Sequence, residues 1–229
     1  MNYRTFIPNM FTFSNLCCGV VSILFTIKNE FFHAAIFIML AMLADAMDGR
    51  AARYFGVSGK MGEELDSLCD MSSFGVAAGI LIYQAHLHEY GLLGLASILF
   101  FTVCVCYRLA RFNVNTTTVK GFFWGMPSPT GGCLIATFII SGINVPNYLI
   151  LLGTVIAGYL MISSIKYPDF KGKGNPIKKI STAITAALII YIIIIIPSSV
   201  WLNSLLFLVF LSYALIGIIN SFYMLFVKD

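Results

Sequence analysis

Apolar residues run along this chain in long blocks separated by short polar connectors. A helix needs about 20 mostly apolar residues to cross a hydrocarbon core ~30 Å thick, because each residue rises ~1.5 Å. Eight segments meet or approach that length: 10–27, 32–52, 66–86, 91–112, 128–143, 147–165, 179–196 and 201–226. The fifth is the shortest and carries Gly131 and Gly132 behind Pro127 and Pro129. The pattern predicts an all-α fold, a polytopic transmembrane bundle of about eight spans. The first block opens with the polar Asn9, Thr12, Ser14 and Asn15 and has no small-residue cleavage site, so it reads as a retained span and not a signal peptide.

Composition sharpens this picture. The chain is 59% hydrophobic and 10% charged, against roughly 25% charged residues in an average soluble domain, which excludes a soluble fold. No Pro/Ser-rich linker, low-complexity tract or repeat divides residues 1–229, so one domain is expected. Threading the chain through alternate sides gathers Arg4, Arg50, Arg53, Lys60, Arg108, Arg111, Lys120, Lys166, Lys171, Lys173, Lys178, Lys179 and Lys228 on one face and leaves Lys28 on the other. By the positive-inside rule the basic face is cytoplasmic, with both termini inside a multi-pass cell-membrane protein. A net charge of +4, set in short connectors, suits anionic lipid headgroups or phosphates and argues against nucleic acid. Cys17, Cys18, Cys69, Cys104, Cys106 and Cys133 lie in or beside apolar runs and read as small buried hydrophobes, with no disulfide framework.

Candidate chemistry is concentrated between positions 45 and 70, which hold Asp45, Asp48, Glu63, Glu64, Asp66 and Asp70. An ionised side chain near hydrocarbon is costly unless it is paired or coordinated. At 3.6 residues per turn, Asp45, Asp48, Gly49, Ala52 and Arg53 form one stripe, and Gly62, Asp66, Asp70, Ser73 and Phe74 form another. Joined by the short connector Tyr54 to Met61, the two stripes can face each other as an antiparallel pair, so that four carboxylates converge. Such a cluster calls for a neutralising cation, and oxygen-only ligands favour Mg²⁺, Mn²⁺ or Ca²⁺ over zinc. Gly49 and Ala52 leave room for a ligand, and Arg53 is placed to grip a phosphate bidentately. Structural ion pairs with Arg50, Arg53, Arg108 and Arg111 are the plain alternative for any single aspartate, and Glu63 and Glu64 read as solvated.

The segment from Asp45 to Asp70, DAMDGRAARYFGVSGKMGEELDSLCD, resembles the signature of the CDP-alcohol phosphotransferase family, D-x-x-D-G-x-x-A-R followed after eight residues by G-x-x-x-D-x-x-x-D. Flanking segments are similar to the serine-using members, the phosphatidylserine synthases: PNMFTFSNLCCG (Pro8 to Gly19), GEELDSLCDMSSFG (Gly62 to Gly75), ARFN (Ala110 to Asn113) and GMPSP (Gly125 to Pro129). Where family members often carry Ser or Thr six residues after the motif arginine, this chain has Gly59, with Ser58 one position earlier.

The resemblance implies metal-dependent transfer of a phosphatidyl group from CDP-diacylglycerol, or an ether-linked CDP-archaeol-type lipid, to the hydroxyl of L-serine, with release of CMP. It implies that Asp45, Asp48, Asp66 and Asp70 hold Mg²⁺ or Mn²⁺, that Asp70 also serves as general base, and that Gly49, Ala52, Arg53, Ser58 and Gly62 hold the CDP-lipid. The catalytic core would span about 8–166, with packing and anchoring spans at about 179–226, and family members commonly pair as homodimers. Serine carries a carboxylate, for which Arg111 and Asn113 are the candidates, with Tyr107 and Arg108 one turn away and Ser128 in reserve. His86 and His88 fall on the opposite side and read as interfacial. Competing readings are the same chemistry on glycerol phosphate or inositol phosphate, which would call for a denser basic cluster, and a cation transporter, which would place its acids near the bilayer midplane.

Overall fold

The computed structural model describes residues 3–57, 59–115, 122–168, 187, 190 and 201–226. Helix α1 (Tyr3–Ile27) pairs along its length with α2 (Phe31–Phe55). Ala34, Ala35, Ile38 and Ala41 of α2 are buried; three of these four are alanines, and small residues let neighbouring helices approach closely. The hairpin turns at Asn29, whose φ of 59° is positive. Helix α2 ends at Gly56, in the left-handed region with φ 65°, and its N–H returns to the carbonyls of Ala52 and Arg53. That is the common glycine-terminated helix end, and it turns the chain back within a few residues.

Helix α3 (Lys60–Tyr90) is continuous but not uniform. It is α-helical to Asp70, π-helical over Met71–Ala77, α-helical again over Ala78–Ile82, π-helical over Tyr83–Leu87 and finishes on a tight turn, His88–Tyr90. The first widened segment begins directly after Asp70. Its wall is very close to its neighbours: a Cβ at Gly19 would come within 2.9 Å of the Ser73 Cα, and one at Gly132 within 2.8 Å of the Phe74 Cβ.

Next come α4 (Leu92–Asn115), strand β1 (Phe122–Trp124), α5 (Ser128–Ser141), α6 (Asn147–Ile162), strand β2 (Lys166–Pro168) and α7 (Trp201–Phe226). The strands pair antiparallel, with Phe123 opposite Tyr167. Tyr167 is fully buried, stacks on Tyr213 at 5.4 Å and donates its hydroxyl to the Ala214 carbonyl at 3.3 Å, which ties β2 to α7. Burial pushes its phenol pKa well above the ordinary value, with neighbouring Tyr213 adding to the effect. The core between the helices is built from Ile38, Phe74, Leu81, Phe101, Val105, Met126 and Met161.

Seven of the eight apolar segments read from the sequence are helices, and the eighth, 179–196, lies outside the described residues except for isolated positions. Among the described residues five helices are long and apolar enough to cross a membrane: Phe6–Ile27, Phe31–Phe55, Lys60–Tyr90, Leu92–Val114 and Asn203–Tyr223. Ser128–Ser141 and Asn147–Ile162 fall short of that length. The two three-residue strands amend an all-helical expectation. They close a small sheet at the end of the bundle where α4 and α6 finish and α5 begins.

Candidate active site

Helices α2 and α3 bring Asp45, Asp48 and Asp66 together, with one oxygen from each lying within 4.8 Å of the others. The turn at Gly56 sets the two helices antiparallel, and spacings of three and four residues put the carboxylates on facing sides. Asp48 is 7% exposed and accepts a hydrogen bond from the Thr12 hydroxyl at 2.9 Å. Asp66 keeps a buried oxygen, Oδ1, that has no hydrogen-bond partner among the described residues. Three close carboxylates, one with an orphaned buried oxygen, fit a hard divalent cation bound through oxygen.

Asp70 stands beside this triad. It lies against Asp45 and is 5% exposed, but both of its oxygens are already engaged. Oδ1 accepts from Asn15 Nδ2 at 3.0 Å and Oδ2 from the Ser128 hydroxyl at 3.3 Å. Ser128 in turn accepts from Arg108 Nη1 at 3.0 Å. The convergence expected of four aspartates is therefore three that share a centre and a fourth held one step aside by α1, α4 and α5.

A cavity of about 180 Å³ opens beside the triad. Asp48 and Asp66 line it together with Gly49, Ala52, Arg53 and Gly62, all singled out from the sequence. Arg53 folds back along its own helix, so that a Cβ at Gly49 would sit 3.5 Å from its Nη1. That is ordinary contact, so the glycine is not needed to seat the arginine, and the space over it is left for a ligand. Asn9, Thr12 and Glu63 also face the cavity; Glu63 had been read as merely solvated. Ser58 lies outside the described residues.

Arg111 and Asn113, the residues the sequence offers for the serine carboxylate, bond to main-chain carbonyls and to side chains of α3. Arg111 donates from Nη1 to the Ile162 carbonyl at 2.9 Å, and from Nη2 to the carbonyls of Trp124 at 2.7 Å, Met161 at 3.0 Å and Ser163 at 3.3 Å. It thus ties the end of α4 to the carbonyl end of α6 and to β1. Asn113 accepts from Ser67 Oγ at 3.1 Å and donates to Glu64 at 3.3 Å, joining α4 to α3. Tyr107 is exposed. Arg108, ranked below Arg111 from the sequence, is the arginine that reaches the Asp70 network. Thr12 and Asn15 were not anticipated as site residues, although a signal existed: Thr12, Asn15, Ser22 and Thr26 recur at helical spacing in an apolar span, and all four are buried.

A family model described as CDP-alcohol phosphatidyltransferase matches residues 5–217, nearly the whole chain. The chain belongs to the CDP-alcohol phosphatidyltransferase family. It is 38% identical over 172 residues to a CDP-diacylglycerol–serine O-phosphatidyltransferase of Bacillus subtilis, covering 75% of this chain and 93% of that protein. It is 34% identical to a protein of the same description from Helicobacter pylori, over 72% of each chain. An archaetidylserine synthase of Methanothermobacter thermautotrophicus is 35% identical, over 73% of this chain and 72% of that one. The motif spacing in this family member thus corresponds to a carboxylate triad, two members of which line a cavity that Asp70 does not.

Proposed function

We propose that this family member transfers a phosphatidyl group from CDP-diacylglycerol, or an ether-lipid analogue, to the hydroxyl of L-serine, giving phosphatidylserine and CMP. The observation that carries the reading is the triad of Asp45, Asp48 and Asp66 within 4.8 Å, set on a cavity that Arg53 also lines. That is what a diphosphate with a divalent cation requires. The relatives named for serine transfer supply the acceptor.

In this mechanism Arg53 binds the diphosphate through its planar fork, and Gly49, Ala52 and Gly62 give the nucleotide portion close access to backbone. Asp45, Asp48 and Asp66, with Asp70 beside them, would hold Mg²⁺ or Mn²⁺, which supplies neutralisation of the charge that builds on the diphosphate oxygens. Asp70 takes the proton of the serine hydroxyl as its oxygen bonds to the phosphatidyl phosphorus. The bond from that phosphorus to the CMP oxygen breaks, and CMP departs with the electron pair. Asn15 and Ser128 keep the Asp70 carboxylate in one orientation for the proton transfer.

Phosphorylated acceptors are disfavoured because, among the described residues, Arg108 is the basic side chain that joins the Asp70 network, while Arg111 bonds to carbonyls. The basic residues of the connectors support a cytoplasmic position for this end of the bundle, where serine and CMP are soluble partners. The test is incubation of purified protein with CDP-diacylglycerol, radiolabelled serine and Mg²⁺ or Mn²⁺, followed by lipid chromatography. A labelled lipid that depends on all three is expected. Labelled lipid from glycerol phosphate but none from serine would overturn the assignment.

A further inference from the structure

Two buried groups beside Asp70 lack the partners that their chemistry requires. Arg108 is 7% exposed, and its guanidinium offers five N–H donors and a permanent charge. Among the described residues it makes one hydrogen bond, to Ser128, and rests over the Phe112 ring at 5.1 Å; no carboxylate comes within ion-pair distance. A buried cation with so little compensation is expensive, and natural sites supply it with an anion. Asp70 and, less strongly, Asp45 act on the guanidinium through space, but Asp70 does not bond it directly, since Asn15 and Ser128 stand against its two oxygens.

Asn15 presents the complementary deficit. It is fully buried, and its Nδ2 donates to Asp70 Oδ1, but its own Oδ1 accepts nothing among the described residues. A buried amide oxygen left in this way costs about as much as a lost hydrogen bond. So guanidinium donors without an acceptor at Arg108 and an amide oxygen without a donor at Asn15 flank the same carboxylate. None of Asn15, Asp70, Arg108 or Ser128 lines the cavity that receives the CDP-lipid.

We propose that Arg108 and Asn15 are the two ends of a receptor for a zwitterionic α-amino acid, with Arg108 taking the α-carboxylate, Asn15 Oδ1 the ammonium and Asp70 the hydroxyl between them. This rests on the transfer reading above and deepens it, since it names the residues that choose the acceptor. Both deficits are met at once by a ligand with both charges. A phosphorylated polyol would satisfy the guanidinium but bring another acceptor against the Asn15 oxygen. Ethanolamine would do the reverse. Three attachments on one carbon skeleton also fix handedness.

The experiment compares initial rates with L-serine, ethanolamine (no carboxylate) and 3-hydroxypropanoate (no ammonium), at saturating CDP-diacylglycerol and Mn²⁺, for wild type, Arg108→Gln and Asn15→Leu. Arg108→Gln is expected to raise the serine KM about 10- to 100-fold, the usual range for a lost charge-assisted contact, and to shrink the preference for serine over ethanolamine. Asn15→Leu is expected to shrink the preference for serine over 3-hydroxypropanoate while leaving the half-saturating Mn²⁺ concentration in place. Unchanged acceptor preferences in both variants would overturn the proposal, as would a shifted Mn²⁺ requirement in Asn15→Leu without a change in preference, which would make Oδ1 a metal ligand. Should either variant fail to fold, wild type decides: L-alanine, with both charges and no hydroxyl, must compete with serine better than ethanolamine does. If wild type makes no lipid from serine at all, the transfer reading fails first, and that result is separate from any of these.

Discussion

Arg111 lies where Gly125 leaves it room, since a Cβ at Gly125 would come within 2.8 Å of Arg111 Nη2 and press still harder on the Met161 carbonyl. Gly125 also has φ 77°, a conformation that other residues adopt only under strain. The arginine of ARFN and the glycine of GMPSP are thus two halves of one joint, built around carbonyls that α6 leaves without helical partners.

Breaking that joint should destabilise the protein without altering acceptor choice. Gly125→Ala and Arg111→Ala are each expected to cost about 2 kcal/mol or more, from a steric clash in one and several lost charge-assisted bonds in the other. Thermal melts in detergent should show both midpoints lowered. Steady-state rates for Arg111→Ala should fall alike with serine and ethanolamine; a loss confined to serine would return Arg111 to the acceptor pocket.

Removing a triad carboxylate should remove metal dependence with it. Asp45→Asn, Asp48→Asn and Asp66→Asn are each expected to lower turnover by about 100-fold or more, as loss of charge at a phosphoryl-transfer centre does. A chelator should silence the wild type, and added Mg²⁺ or Mn²⁺ should restore it. Wild-type turnover that survives exhaustive chelation would contradict the role given to the triad.

Asp70→Asn should separate binding from chemistry. The residue lies outside the cavity, so affinity for CDP-diacylglycerol should hold within a few-fold while turnover falls by about 100- to 10,000-fold, the usual range for a lost general base. Equilibrium binding of the CDP-lipid alongside single-turnover rates checks both halves.

Arg53→Lys should weaken the nucleotide lipid alone. A point charge replaces a planar fork, and the apparent KM for CDP-diacylglycerol is expected to rise about 10-fold while that for serine stays near wild type. Titration of each substrate at saturating levels of the other distinguishes the two. A change in serine KM only would move Arg53 out of the donor cavity.

Much of the donor side was legible because it is local. Asp45 and Asp48 are three residues apart, Asp66 and Asp70 four, and a short connector joins their helices, so helical periodicity alone brings them face to face. The acceptor side is not local. Asn15, Arg108 and Ser128 meet only through the packing of α1, α4 and α5 against α3, and no spacing announces it. Arg111 reads from the sequence as a ligand group because it falls near a carboxylate cluster, whereas the carbonyls it bonds leave no trace in residue identity. Strands β1 and β2 are too short to show alternation, and the widened turn after Asp70 has no compositional mark.

The joint between Arg111 and the end of α6 also dictates an order of construction. Every cavity residue, from Pro8 to Asp66, belongs to the first three helices or to the turn between the second and the third, so all of them are synthesised before Arg108. The acceptor side stays unfinished until Ser128 has arrived and Met161 to Ser163 have been delivered to Arg111. A growing chain therefore has its whole cavity wall in hand before the group around Asp70 can close.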